Sequence, residues 1–226
     1  MIQAVLFDLD NTLYSEFSFV ESGMRSVAAH IGKRFGLDSC EIEEYLLEAL
    51  KSKGRGAVFD SLLKELKLPD EVSVPLLVYL YRTHPPQIAL FENAHILFEE
   101  LRARRIKMGL ITDGLSSVQN RKIESLKIDQ LFDLIICTGD LGDSYSKPSP
   151  IPFSLALQLL DVPAKATIYL GDDETKDFAG PQELGIVTIQ ISHPLERPLR
   201  TGPLLCPRPA DYSVTSFWEV IPILGS

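Results

Sequence analysis

The sequence predicts an α/β protein: a doubly wound, Rossmann-like parallel sheet with an inserted all-helical segment. Three observations predict it. Short apolar runs rich in β-branched residues alternate with amphipathic stretches, as parallel strands do when helices cover both faces of a sheet. One long segment near the N-terminus breaks this rhythm with helical patterns only. The strand-like runs also end in acids, a hydroxyl and glycines, at the sheet edge where ligands of such folds bind.

Taken in order, Ala4 to Leu9 reads as the first buried strand. Ile106–Thr112, Leu134–Thr138, Ala166–Gly171 and Ile186–Ile191 read as four more. Amphipathic stretches near 93–105, 117–127, 150–160 and 175–184 supply the covering helices. Residues 15–85 hold four helix-like segments, at 16–35, 40–53, 57–67 and 71–83, and no convincing strand. Pro85 and Pro86 restrict the backbone and mark a return hinge. The domain reading is therefore a core of residues 1–14 and 86–226 and a helical insert of residues 15–85. The Pro- and Arg-rich stretch 193–210 reads as a loop, followed by a closing strand and helix over 212–224.

Composition narrows the function. The chain has 226 residues, is 45% hydrophobic and 23% charged, and carries a formal net charge of -9. An acidic chain of this kind disfavours nucleic acid and anionic membranes as partners. It also means that any phosphate site must be made locally positive by lysine, arginine, backbone N–H groups or a metal. Cys40, Cys137 and Cys206 are far apart and form no zinc-type pair, so reduced thiols are expected. No basic, apolar leader precedes the first strand, and no apolar run is long enough to span a bilayer. A cytoplasmic location is the simplest expectation. Oligomeric state is not legible.

The first strand runs into Asp8-Leu9-Asp10-Asn11-Thr12. Strand alternation points side chains 8 and 10 the same way. Two carboxylates so placed need a cation or a shared proton, and one can attack phosphorus while the other moves a proton. A turn after the strand accounts for the same residue types. The second strand ends Thr112-Asp113-Gly114, with Ser116 and Ser117 as a helix start that suits a phosphate. Lys147-Pro148 opens the helix near 150; alone, such a lysine carries little. The fourth strand ends Gly171-Asp172-Asp173-Glu174-Thr175-Lys176-Asp177. Helix capping uses one acid, so the surplus points to a Mg²⁺ site of hard oxygen ligands.

With these four segments in this order, the chain resembles the haloacid dehalogenase superfamily, which is mostly phosphatases. The resemblance covers essentially the whole chain. It implies that Asp8 attacks phosphorus to form an aspartyl-phosphate and that Asp10 protonates the leaving oxygen and then deprotonates water. It implies Mg²⁺ held by Asp8, the backbone carbonyl of Asp10 and Asp172. Thr112 and Lys147, with the turn through Asp113 and Gly114, would hold phosphoryl oxygens. Asp173 and Asp177 are further candidates for orienting Lys147 or a metal-bound water. The family commonly has Asn where Asp113 stands, so the Thr112 hydroxyl is the firmer phosphate contact.

Asp10 argues against dehalogenation, because expelling halide needs no proton. A phosphomutase stays open, since it differs only in the lifetime of the aspartyl-phosphate. A catalytically silent binding protein of the same fold is the other alternative. A receiver domain also uses Asp, Lys and Mg²⁺, but has its Asp on a later strand and no helical insert. The insert resembles the family's helical (C1-type) cap, which excludes water and selects the leaving group. Within it, Arg55 between two glycines is a candidate substrate contact, though a plain helix–helix turn reads the same way. Arg82 and His84 near the hinge have no assigned role, and His84 reads as structural. The expected partner is a small phosphorylated metabolite. The chain is similar to N-acylneuraminate-phosphate, phosphoglycolate and nucleotide phosphatases, with a phosphosugar or sugar-acid phosphate as first choice.

Overall fold

The computed structural model describes residues 1–69, 71–193 and 208–225. In chain order the elements are β1 (Ala4–Phe7), α1 (Glu16–Phe35), α2 (Ser39–Lys53), α3 (Val58–Leu66), α4 (Val74–Thr83) and α5 (Ala94–Ala103). There follow β2 (Lys107–Thr112), α6 (Ser116–Leu126), β3 (Leu134–Cys137), α7 (Ile151–Leu160), β4 (Thr167–Gly171), α8 (Ala179–Glu183), β5 (Val187–Ile191), β6 (Tyr212–Val214) and α9 (Val220–Ile223). The six strands form one parallel sheet in the order β3-β2-β1-β4-β5-β6. Strand order therefore reverses at β1, between β2 on one side and β4 on the other. That switch point opens a crevice at the carboxyl ends of β1 and β4.

The chain divides into two compact units: Met1–Glu16 with the described chain from Ala89 onward, and Phe17–Ile88. In the first unit β1 is buried at every residue, and so is β4. Ala4, Leu6, Ile111, Phe153, Tyr169 and Phe178 belong to one buried cluster against the sheet. This explains why the strand runs are continuously apolar rather than alternating. The second unit has its own core, with Val27, Ile31, Leu46, Leu62 and Leu77 from α1 to α4 packed together. Among the described residues, no helix is long and apolar enough to cross a membrane.

Some expected boundaries move for identifiable reasons. The first strand stops at Phe7 rather than Leu9. Asn11 adopts a left-handed φ of 58°, and its Oδ1 accepts the backbone N–H of Glu16 at 3.0 Å, turning the chain into α1. The helix expected from 71 begins at Val74, with Ser73 extended before it and Pro75 in the first turn. The helix expected from 175 begins only at Ala179, because residues 173–177 are held in turns by their own acid side chains. One helix start falls where expected and one differs in kind. Helix α6 begins at Ser116. Lys147-Pro148 is a cis peptide ahead of α7, and Pro152 stands in that helix's first turn instead. Within the loop expected at 193–210, residues 194–207 lie outside the described residues.

Candidate active site

Asp8 follows β1 directly, and its backbone N–H still donates to the Leu170 carbonyl of β4 at 2.9 Å. The side chain is buried at the switch point, where the Lys147 ammonium donates to its Oδ1 and Thr12 Oγ1 donates to Oδ2 at 3.4 Å. Lys147 also reaches Asp177 Oδ1 at 2.8 Å and Tyr169 Oη at 3.1 Å. The Tyr169 hydroxyl in turn donates to Asp177 Oδ1 at 3.0 Å. Asp177 Oδ2 takes the backbone N–H groups of Asp172 and Asp173 at 3.1 and 2.9 Å. Asp177 thus ties the loop after β4 to the lysine, and it is fully buried in doing so.

This geometry explains one glycine. A Cβ on Gly171 would lie 2.6 Å from Asp177 Oδ2, so only glycine lets that carboxylate tuck under the end of β4. Gly114, at φ 116°, is the second position where the turn itself requires glycine.

Carboxylate oxygens of Asp8, Asp172 and Asp177 all lie within 4.8 Å of one another. Their electrostatics are strained. Burial, the largest influence, raises Asp8 from its ordinary 3.8 to about 6; Lys147 opposes the rise and Asp177 adds to it. Asp172 is raised well above the usual carboxylate range, first by burial and then by repulsion from Asp177 and Asp8. Burial pushes Asp177 up too, but Lys147 and Lys176 outweigh it and hold Asp177 low. Lys147 is held firmly protonated: burial disfavours its charge, yet Asp177 and Asp8 more than compensate. Hard oxygen donors that still repel one another fit a divalent cation such as Mg²⁺.

Asp10 stands apart from this group. Its two oxygens accept the Lys122 ammonium at 2.8 and 2.9 Å. Gln119 Nε2 donates to Oδ2 at 3.0 Å, and the Tyr14 hydroxyl donates to Oδ1. Burial would raise Asp10, but Lys122 and these hydrogen bonds prevail and lower it to about 2. The expected repulsion between neighbouring carboxylates is therefore met differently at each: by Lys147 at Asp8 and by Lys122 at Asp10. Gln119 also donates to Thr112 Oγ1 at 2.5 Å, which links the second strand end to Asp10.

The remaining candidates have definite places. Asp113 does not point into open space: its Oδ1 accepts the Thr138 hydroxyl at 2.7 Å and the Lys147 backbone N–H at 3.2 Å. It braces the chain that presents Lys147. Asp173 Oδ1 accepts the backbone N–H and hydroxyl of Thr175 at 3.0 and 2.7 Å, a local turn. In the helical unit, exposed Arg55 starts a short 3-10 turn, Arg55–Ala57, and Arg82 is exposed on α4. His84 is buried beside Phe19 and Tyr81, with Nδ1 2.6 Å from the Tyr81 carbonyl, which is a structural setting.

Sequence reasoning missed Tyr14, Gln119, Lys122 and Tyr169. Gln119 and Lys122 stand three apart on α6 and so share a face. A Gln and a Lys on an amphipathic helix read as solvent-facing, yet they are 2% and 5% exposed. Tyr169 sits inside a buried strand, where an aromatic reads as core.

Comparison with known proteins agrees with this architecture. Residues 5–191 match the family model described as haloacid dehalogenase-like hydrolase. A glyceraldehyde 3-phosphate phosphatase from Methanocaldococcus jannaschii is 30% identical, over 99% of this chain and 97% of its own. The pyrophosphatase PpaX of Bacillus mycoides is 25% identical, again over 99% of this chain and 97% of its own. In fold, the chain is similar to a putative hydrolase of the same group, YfnB from Bacillus subtilis, whose crystal structure is bound to magnesium. That likeness has a TM-score of 0.68 at 20% identity and covers 100% of this chain and 99% of the other. The chain belongs to the haloacid dehalogenase-like hydrolases, in their phosphatase branch, and is a phosphoric monoester hydrolase.

Proposed function

We propose that the chain is a Mg²⁺-dependent phosphatase of a small phosphorylated metabolite, working through an aspartyl-phosphate on Asp8. The observation that supports it best is the buried Lys147 joined to both Asp8 and Asp177 at the switch point, with Asp172 alongside. Asp8 Oδ attacks phosphorus while the bond to the leaving oxygen breaks; Asp10, held ionised by Lys122 in the free protein, takes up a proton from solvent as substrate binds and gives it to that oxygen. Ionised Asp10 then takes a proton from water, whose oxygen attacks the same phosphorus. The bond to Asp8 breaks, inorganic phosphate leaves, and Asp10 is protonated again. Lys147 and Thr112 hold phosphoryl oxygens as charge develops.

Asp8 and Asp172 would hold Mg²⁺ together with the Asp10 carbonyl. Asp177, already engaged by Lys147, Tyr169 and two backbone N–H groups, orients the loop rather than binding metal. When bound, the ion neutralises the carboxylates and so lets an anionic phosphate approach them. Residues 15–85 serve as the cap that selects the leaving group. A sugar phosphate is the first substrate class to test, in line with the relative named as a glyceraldehyde 3-phosphate phosphatase. Pyrophosphate comes second, in line with PpaX.

The test is a panel of phosphometabolites, with glyceraldehyde 3-phosphate, sugar-acid phosphates and pyrophosphate among them, scored for phosphate release with and without Mg²⁺. Stoichiometric phosphate release that vanishes in Asp8→Asn is expected. Isomer formation without phosphate would make the chain a mutase, and wild-type turnover in Asp8→Asn would remove Asp8 as nucleophile.

A further inference from the structure

We propose that Lys122, seconded by Gln119 one turn earlier on α6, is a positioning residue that fixes the carboxylate of Asp10 for its proton transfers; this rests on the phosphatase reading above. Lys122 spans both Asp10 oxygens at 2.8 and 2.9 Å although it is only 5% exposed. Stability alone does not call for such a pair, since a buried ion pair contributes little over apolar residues of the same volume. A two-pronged contact does, however, hold a carboxylate to one rotamer.

Gln119 adds direction. Its amide nitrogen has two hydrogens, and its two acceptors are Asp10 Oδ2 at 3.0 Å and Thr112 Oγ1 at 2.5 Å. Because the amide donates to Thr112, the threonine's own proton points elsewhere and stays available for a phosphoryl oxygen. One helix face thus sets both the acid–base group and the phosphate-facing hydroxyl. Tyr14 closes the arrangement from the β1 side by donating to Asp10 Oδ1.

The test measures kcat/KM with Mg²⁺ for an alkyl phosphate and for an aryl phosphate whose leaving group needs no proton. Both values report steps only up to loss of the leaving group. Acid–base catalysis is worth about 10²–10⁴-fold, so Lys122→Met is expected to lose about tenfold to hundredfold on the alkyl ester. On the aryl ester it should lose about threefold or less, and Lys122→Arg should recover much of the alkyl rate. In an Asp10→Asn background, Lys122→Met should cost nothing further. That double variant leaves no buried charge unpaired, so it also serves if the single variant folds poorly. Equal losses on both esters, or a loss that persists without the Asp10 carboxylate, would overturn the assignment. If the wild type releases no phosphate, or Asp8→Asn matches it, the phosphatase reading itself fails and this inference falls with it.

Discussion

Replacing Asp8 with Asn should abolish turnover and make the metal-free protein more stable at neutral pH. Burial first, tempered by Lys147, lifts Asp8 from 3.8 to about 6 in the fold. A group raised in this way contributes stability that is complete below its unfolded value and is lost as pH rises through its folded value. For Asp8 the loss runs from about pH 4 to about pH 6, and at about 1.4 kcal/mol per pH unit it amounts to about 3 kcal/mol. Asn has the shape of the protonated carboxyl and does not titrate. The stability of Asp8→Asn relative to wild type should therefore climb by about 3 kcal/mol between pH 4 and pH 7 and level off above. Thermal midpoints should separate by roughly 6–12 °C over that range, at about 2–4 °C per kcal/mol for a chain of this size. Urea and thermal denaturation in EDTA, followed by circular dichroism, give both numbers. Adding Mg²⁺ should narrow the gap, because it stabilises the protein that binds it. Parallel pH curves for the two proteins, or a variant less stable than wild type at pH 7, would refute the view that Asp8 is a strained, functional carboxylate.

Three other outcomes follow from the same network. Lys147→Met leaves Asp8 and Asp177 buried without their ammonium, and should cost about 3–5 kcal/mol in urea denaturation besides the loss of activity. Gly171→Ala puts a methyl within 2.6 Å of Asp177 Oδ2; displacing that carboxylate should destabilise by about 1–3 kcal/mol and weaken Mg²⁺ binding in calorimetry. Mg²⁺ affinity should tighten as pH rises, because Asp172 is raised by burial and by Asp177 and Asp8, so protons compete with metal for it. Isothermal titrations at pH 6, 7 and 8 that give one constant affinity would contradict this.

What the sequence revealed, and what it hid, divides along a physical line. Asp8, Thr112 and Asp172 were legible because each stands where an apolar run ends, and a buried parallel strand marks its own carboxyl end. Lys147 was legible only through its company, since its burial depends on Asp8, 139 residues away, and on Asp177, 30 away. Lys122 had no such company in the sequence. Its partner Asp10 lies 112 residues upstream, and on a helix with two faces a lysine defaults to the wet one. The same default concealed Gln119. The partners of Asp113 were hidden in a related way: its carboxylate is engaged by the Thr138 hydroxyl and the backbone N–H of Lys147, both distant in sequence. Periodicity reports which face of an element is apolar. It does not report a polar group that is buried because a distant charge meets it. Such groups are costly to bury and are kept where they set another group's position. The polar residues hidden from the sequence, Tyr14, Gln119, Lys122 and Tyr169, all touch a carboxylate the sequence did expose. The strand ends thus declare the chemistry, and the helix face and strand interior behind them hold its geometry.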